Sequence, residues 1–162
     1  AGVSLQGYYG VFLLSRKESK LGYCLKASAV SFCSAGALTV IVDLLYGLPA
    51  DGPDVGMTLV DMLGTVLVGP ALETLLMRLI LVLIAKFTDR IFLSACLCAF
   101  IFSVLHSMSH PLWGMFTFMP FVVFGIAFQV WRQSSPKVGF TIAFLIHALH
   151  NSYVLLVGML GQ

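Results

Sequence analysis

Five long apolar stretches constrain this chain more than any other feature of its sequence. They run from about Cys24 to Leu48, Met57 to Ala85, Ile91 to Ser107, Leu112 to Trp131 and Val138 to Leu160. A transmembrane helix needs about 20 mostly apolar residues, and only the third stretch is clearly shorter than that. Pro and Gly, which mark turns, separate most of the stretches. The sequence therefore predicts an all-α, polytopic membrane bundle of about five transmembrane helices.

The composition is typical of an integral membrane protein. Of the 162 residues 59% are hydrophobic and 10% are charged, whereas a soluble domain has about 25% charged residues. No Lys/Arg cluster and no Gly-rich phosphate loop is present, so we expect no nucleic-acid partner. We divide the chain into residues 1–23, an interfacial segment or the end of a truncated helix, and a transmembrane core, residues 24–162.

The charges at the ends of the stretches predict an orientation. Basic residues lie before or at the start of the first stretch, between the second and the third, and between the fourth and the fifth: Arg16, Lys17, Lys20, Lys26, Lys86, Arg90, Arg132 and Lys137. Asp51 and Asp54 lie between the first and second stretches, where Lys and Arg are absent. With five spans all the basic sites fall on one side, and the positive-inside rule makes this side, with the N-terminus, cytoplasmic.

Several polar side chains lie inside the predicted spans. Glu73 and Arg78 are in the second stretch, and His106 is in the third. Ionisable residues at membrane depth are rare, and they usually face a partner, a cavity or a pathway. A Glu73–Arg78 pair that only joins helices is the simple alternative. However, five residues correspond to about 140° around a helix, so we expect the two side chains to meet groups on other helices.

The fifth stretch contains His147, His150 and Asn151. His147 and Asn151 are four residues apart and share a helix face, while His150 is offset from His147 by about 60°. An isolated His–Asn pair can also serve as a polar contact between helices. His150 is interpreted as a neighbour of the pair.

The depth of these residues favours a shared site. Four of them lie 13, 16, 10 and 14 residues from the basic residues at the ends of their helices: Glu73, His106, His147 and Asn151. At about 1.5 Å per residue, these positions are roughly 15 to 24 Å from the basic side. Polar groups from three helices therefore occupy one layer, which independent structural contacts do not require.

The residue types in that layer suit hydrolysis. A glutamate can act as a general base on water, and a histidine can orient that water. A second histidine and an asparagine can stabilise an oxyanion. Two histidines and a carboxylate also form a known catalytic zinc set, so Zn²⁺ is an alternative, although HExxH and other compact ligand motifs are absent.

Three segments on successive predicted helices resemble the motifs of one family. "ETLLMR", "FSVLH" and "HALHN" are similar to the EExxxR, FxxxH and HxxxN motifs of the CPBP family, the CAAX prenyl protease and bacteriocin-processing (Abi) intramembrane endopeptidases. The resemblance covers roughly Met57 to Leu160. It implies a helical intramembrane peptidase located in a bacterial cytoplasmic membrane.

The resemblance also implies roles for single residues. Glu73 corresponds to the glutamate that activates water, His106 to its partner, and His147 with Asn151 to the pair that stabilises the oxyanion. Supporting positions are those of Arg78, Thr74 and Phe102. The implied mechanism uses no metal cofactor, and the implied partner is a peptide or membrane-protein substrate, which in CAAX processing is prenylated.

One departure keeps other functions open. The second glutamate of the EExxxR motif is Thr74 in this chain. A catalytically inactive member that acts as a membrane scaffold or immunity protein is therefore an alternative. A small transporter that uses Glu73 and the histidines as a proton relay is another.

Overall fold

Five apolar helices form the described part of the protein. The computed structural model describes residues 12–47 and 58–160. The helices are α1 (Lys20–Tyr46), α2 (Leu59–Ile84), α3 (Ile91–Ser107), α4 (Trp113–Trp131) and α5 (Pro136–Leu160). A single 3₁₀ turn, Phe12–Leu14, precedes α1, and the described residues contain no strand. The predicted all-α membrane bundle is confirmed.

The five helices differ in length. α1, α2, α4 and α5 are long and apolar enough to cross a membrane, and α3 is a shorter apolar helix of 17 residues. At 1.5 Å per residue α3 spans about 25 Å, somewhat less than a hydrocarbon core of about 30 Å. The protein is therefore an integral membrane protein with four long candidate spans and one short apolar helix.

α4 is the centre of the bundle. It contacts each of the other four helices. In its most apolar window 67% of the residues are buried, against 17% in that of α1. Large apolar side chains are instead exposed on the outer helices, for example Leu44 on α1 and Leu72 on α2. Such an outer surface suits acyl chains, because lipid tails are as apolar as leucine.

Local signals set two helix starts earlier than the apolar pattern predicts. α1 begins at Lys20 because the Ser19 hydroxyl accepts a hydrogen bond from the backbone N–H of Gly22, at 3.1 Å. α5 begins at Pro136, after Ser135 accepts from the N–H of Val138 at 3.1 Å. Serine caps and a first-turn proline are common at helix starts. Hydrophobicity alone does not detect them.

The N-terminal segment contacts the body of the protein. Of residues 1–23, residues 1–11 lie outside the described part. The Tyr23 hydroxyl donates to the carbonyl oxygen of Leu13 at 2.8 Å, and the Arg16 guanidinium donates to the hydroxyl of Ser134 at 3.0 Å. These bonds hold residues 13–16 against α1 and the turn between α4 and α5.

The basic ends of the helices lie on one side of the bundle. The Arg16–Ser134 bond joins the segment before α1 to the α4–α5 turn. The side-chain amide of Gln129 donates to the carbonyl oxygen of Ile91 at 3.0 Å, which joins the end of α4 to the start of α3. This agrees with the charge pattern. Asp51 and Asp54, expected on the opposite side, lie outside the described residues.

Candidate active site

Side chains from α2, α3 and α5 converge on the carboxylate of Glu73. Its Oε1 lies 3.8 Å from Nε2 of His106, and its Oε2 lies 3.4 Å from Nε2 of His147. The Glu73 side chain remains 35% exposed, whereas that of His147 is 4% exposed. The carboxylate is therefore open on one side and flanked by two imidazoles on the others.

His106 is held by its own helix. Nδ1 of His106 lies 2.8 Å from the carbonyl oxygen of Phe102, one turn earlier. A carbonyl oxygen only accepts, so Nδ1 carries a proton and donates it. In the neutral ring, Nε2 then presents a lone pair towards Glu73. The Phe102 ring stacks on Phe121, with centroids 4.0 Å apart, which fixes this turn of α3 against α4.

His147 sits among aromatic side chains of α4. Its ring stacks on Phe124 with centroids 4.4 Å apart and meets the edge of Phe121 at 5.4 Å. Nδ1 of His147 lies 3.4 Å from Oγ1 of Thr74, which is fully buried on α2. Two rings and a hydroxyl group thus orient this imidazole towards the carboxylate.

Asn151 is anchored to a π-helical turn in α2. Its side-chain Nδ2 donates to the carbonyl oxygen of Thr65 at 2.9 Å. Within the π-helical turn, Gly64–Val68, the N–H of Gly69 bonds to the carbonyl of Gly64, five residues back, and not to that of Thr65. The next residue is Pro70, which has no N–H to offer. The Thr65 carbonyl is therefore left without a backbone donor, and Asn151 supplies one.

His150 and Arg78 lie apart from this cluster. Nδ1 of His150 is 2.9 Å from the hydroxyl of Ser31, and its ring meets the edges of Phe32 and Phe124. It therefore joins α5 to α1, as expected of a neighbour of the site.

Within residues 12–47 and 58–160, Arg78 forms no hydrogen bond or ion pair. The expectation that it meets a polar group on another helix is not met there.

The match to a known family covers most of this assembly. The family model described as type II CAAX prenyl endopeptidase Rce1-like matches residues 55–153, more than half of the chain. The protein belongs to this Rce1-like family. No curated protein and no solved structure matches it at a significant level. The matched region contains Glu73, His106, His147 and Asn151, and it excludes α1.

The Rce1-like assignment confirms the resemblance seen in the sequence motifs. At the level of the family, the protein is related to CAAX-type proteases of the membrane, which act on peptide substrates. The family match does not assign a mechanism to individual residues. The roles of Glu73, His106, His147 and Asn151 are therefore argued below from the geometry.

The sequence analysis missed two kinds of contributor to the candidate site. Phe121 and Phe124 pack on the histidines, but α4 is apolar on every side, so no pattern distinguishes its site-facing residues. The Thr65 carbonyl is a backbone group, and its availability depends on the register of hydrogen bonds in α2. The Gly69-Pro70 pair was a visible signal, since a proline inside a helix removes a donor.

The described residues also allow a metal site to be considered. They contain no group of three or more His, Cys, Asp or Glu side chains arranged to hold a metal ion. Glu73, His106 and His147 come nearest, and their donor types are those of catalytic zinc sites. A zinc ion at this place would need a free lone pair on Nε2 of both imidazoles. For His147 this depends on which ring nitrogen carries the proton.

Proposed function

We propose that the protein is an intramembrane endopeptidase that hydrolyses a peptide bond with water activated by Glu73. The observation that carries this proposal is the position of the carboxylate, 3.8 Å from Nε2 of His106 and 3.4 Å from Nε2 of His147. The three side chains come from three helices. Close convergence of two imidazoles on a membrane-embedded carboxylate is costly and serves little purpose in a scaffold.

The reaction follows from the properties of these groups. Glu73 removes a proton from water while the water oxygen attacks the peptide carbonyl carbon. His106, which offers a lone pair at Nε2, orients the water. The carbonyl oxygen gains negative charge, and the second N–H of the Asn151 amide stabilises it together with His147. When the C–N bond breaks, the leaving nitrogen takes the proton from Glu73.

We propose a substrate that reaches the site from the membrane, such as a membrane protein or a leader-type peptide, with or without a prenyl chain. An open apolar groove of about 520 Å³ lies along α3, the helix that carries His106, but the four proposed site residues do not line it. Its walls include Leu38, Phe100 and Phe118. We place the protein in a bacterial cytoplasmic membrane with its N-terminus in the cytoplasm.

The test of the function is the Glu73→Gln variant in liposomes, assayed against farnesylated and unmodified fluorogenic peptides. Gln keeps the size of Glu but does not accept the proton of water. We expect a fall in activity of about 10²–10⁴-fold, the range typical of general acid–base catalysis. The matched control is Glu18→Gln, because Glu18 precedes α1 and pairs with Lys26 on α1, outside the site. It should retain full activity.

The same assay distinguishes the alternatives. The proposal does not survive if purified, folded Glu73→Gln is as active as the wild type. A wild type that cleaves no peptide but drives proton-coupled uptake supports a transporter, and one that does neither supports a scaffold. We propose that no metal takes part, so chelators should leave activity unchanged. A zinc enzyme instead loses activity and regains it on addition of Zn²⁺.

A further inference from the structure

Thr74 occupies an unusual position for a helix hydroxyl. Its side chain is fully buried between α2 and α5. Helical Ser and Thr hydroxyls often bond to the carbonyl four residues earlier, as Thr39 does to Ala35 and Ser152 to Ala148. The Thr74 hydroxyl does not. Among the described residues, its one hydrogen-bond partner is Nδ1 of His147, at 3.4 Å.

This geometry sets the direction of the hydrogen bond. A buried hydroxyl proton without an acceptor is unfavourable, and Nδ1 of His147 is the acceptor within reach. If Thr74 donates to Nδ1, the neutral imidazole carries its proton on Nε2. That N–H then points to Oε2 of Glu73, 3.4 Å away. The opposite direction would leave the buried Thr74 proton without an acceptor.

We propose that Thr74 is a positioning residue that holds His147 in the Nε2–H tautomer. His106 is held in the opposite tautomer, because its Nδ1 donates to the carbonyl of Phe102. The two imidazoles therefore present unlike groups on the two sides of Glu73. His106 offers a lone pair that accepts from water, and His147 offers an N–H that donates to developing negative charge.

The direction of the hydrogen bond to His147 depends on which residue stands at position 74. Thr is neutral and can donate to a ring nitrogen. An ionised glutamate, which the EExxxR motif has at this position, only accepts hydrogen bonds. It would draw the proton to Nδ1 of His147 and leave a lone pair on Nε2. A zinc ion on Nε2 would require the same Nδ1–H tautomer. Thr74 thus favours a donor at the site over a metal ligand.

The direct test is the tautomer of His147, measured by ¹⁵N NMR on protein labelled at histidine. The His147 signals are assigned by their loss in His147→Gln. We expect protonated Nε2 in the wild type and in Thr74→Ser, which keeps the hydroxyl. Thr74→Val has nearly the same shape without it, so the Nδ1–H form should become populated. The signals of His106 are the internal control and should not change. An Nδ1–H tautomer in the wild type would overturn the proposal.

The catalytic consequence rests on the proposed peptidase function, so a second measurement follows it. Thr74→Val should lower kcat about tenfold, less than the roughly 10²–10³-fold that follows removal of an oxyanion donor itself. KM should stay unchanged, and Thr74→Ser should restore kcat. Full kcat in Thr74→Val overturns the positioning role and leaves the peptidase function intact. If the wild type cleaves no peptide, the function fails, but the NMR result still decides the tautomer.

Discussion

His106 and His147 each have one ring nitrogen directed at Glu73 and the other fixed by a neighbour. Nδ1 of His106 is fixed by a carbonyl oxygen of α3, and Nδ1 of His147 by Thr74. One N–H of Asn151 is fixed by the carbonyl of Thr65. Donors and acceptors that are oriented in advance need little reorganisation when charge develops. At the scale of single residues, this orientation supports the proposed chemistry over a role in helix adhesion alone.

His147 and His150 provide a matched pair for testing this view. They are three residues apart on α5, but His147 faces Glu73 and His150 faces Ser31 of α1. We expect His147→Gln to lower peptidase activity by about 10²-fold or more, as for a lost oxyanion donor. His150→Gln should retain most activity, because it leaves the site groups in place. The measurement is kcat with the fluorogenic peptides.

Thermal unfolding supplies the control for that pair. A hydrogen bond between membrane helices stabilises by about 0.6 kcal/mol on average, so His150→Gln and Ser31→Ala should each lower Tm slightly. His147→Gln should fold and insert normally. Equal losses of activity in the two histidine variants would contradict the separation of a site-facing and an α1-facing histidine.

At the scale of elements, the π-helical turn makes α2 more than a membrane span. It leaves the Thr65 carbonyl free, and Asn151 of α5 uses that carbonyl as its anchor. π-Helical turns are rare and frequently occur at functional sites. In this protein the turn couples the backbone register of one helix to the orientation of a side chain on another.

Replacement of Pro70 by Ala tests this coupling. Alanine supplies an N–H at position 70. In π register this group bonds to the Thr65 carbonyl, and in α register the N–H of Gly69 does. Either way a backbone donor competes with Asn151. We expect kcat to fall about tenfold or more, approaching the fall that follows removal of an oxyanion donor. Tm should be unchanged or raised. Activity assays and thermal unfolding of the purified variant measure both.

The control is Pro136→Ala, which removes an exposed proline about four turns from Asn151 on α5. It should leave kcat unchanged. If Pro70→Ala is fully active, the Thr65 carbonyl does not orient Asn151 for catalysis.

The sequence predicted the parts of the site that break a pattern. Glu73, His106 and His147 stand out because a polar side chain in an apolar helix is costly and needs a reason. Their common depth and the family motifs together predicted that they converge. The helix starts at Ser19 and Ser135 depend on local capping, so the apolar pattern missed them by two to four residues. Phe124 could not be singled out, because it is one of many apolar residues in α4.

At the scale of the whole molecule, the buried helix α4 organises the others. α5 approaches it so closely that a Cβ atom on Gly139 would lie 2.8 Å from the carbonyl oxygen of Phe128. Small residues of this kind allow membrane helices to pack by direct backbone contact. The packing holds α3 and α5 at fixed positions around α4, and with them His106 and His147.

The orientation of this bundle in the membrane is the last prediction. The basic helix ends share one side, and the positive-inside rule places that side in the cytoplasm. We expect a cysteine replacing Gln133, in the exposed α4–α5 turn, to react with a membrane-impermeant maleimide only from the cytoplasmic side. A cysteine replacing Ser109, in the exposed turn after α3, should react only from the opposite side. Labelling is compared in oriented membrane vesicles, and the four native cysteines are first replaced to remove background. If both cysteines label from the same side, α4 does not cross the bilayer. If position 133 labels only from outside and position 109 only from the cytoplasm, the N-terminus lies outside the cytoplasm.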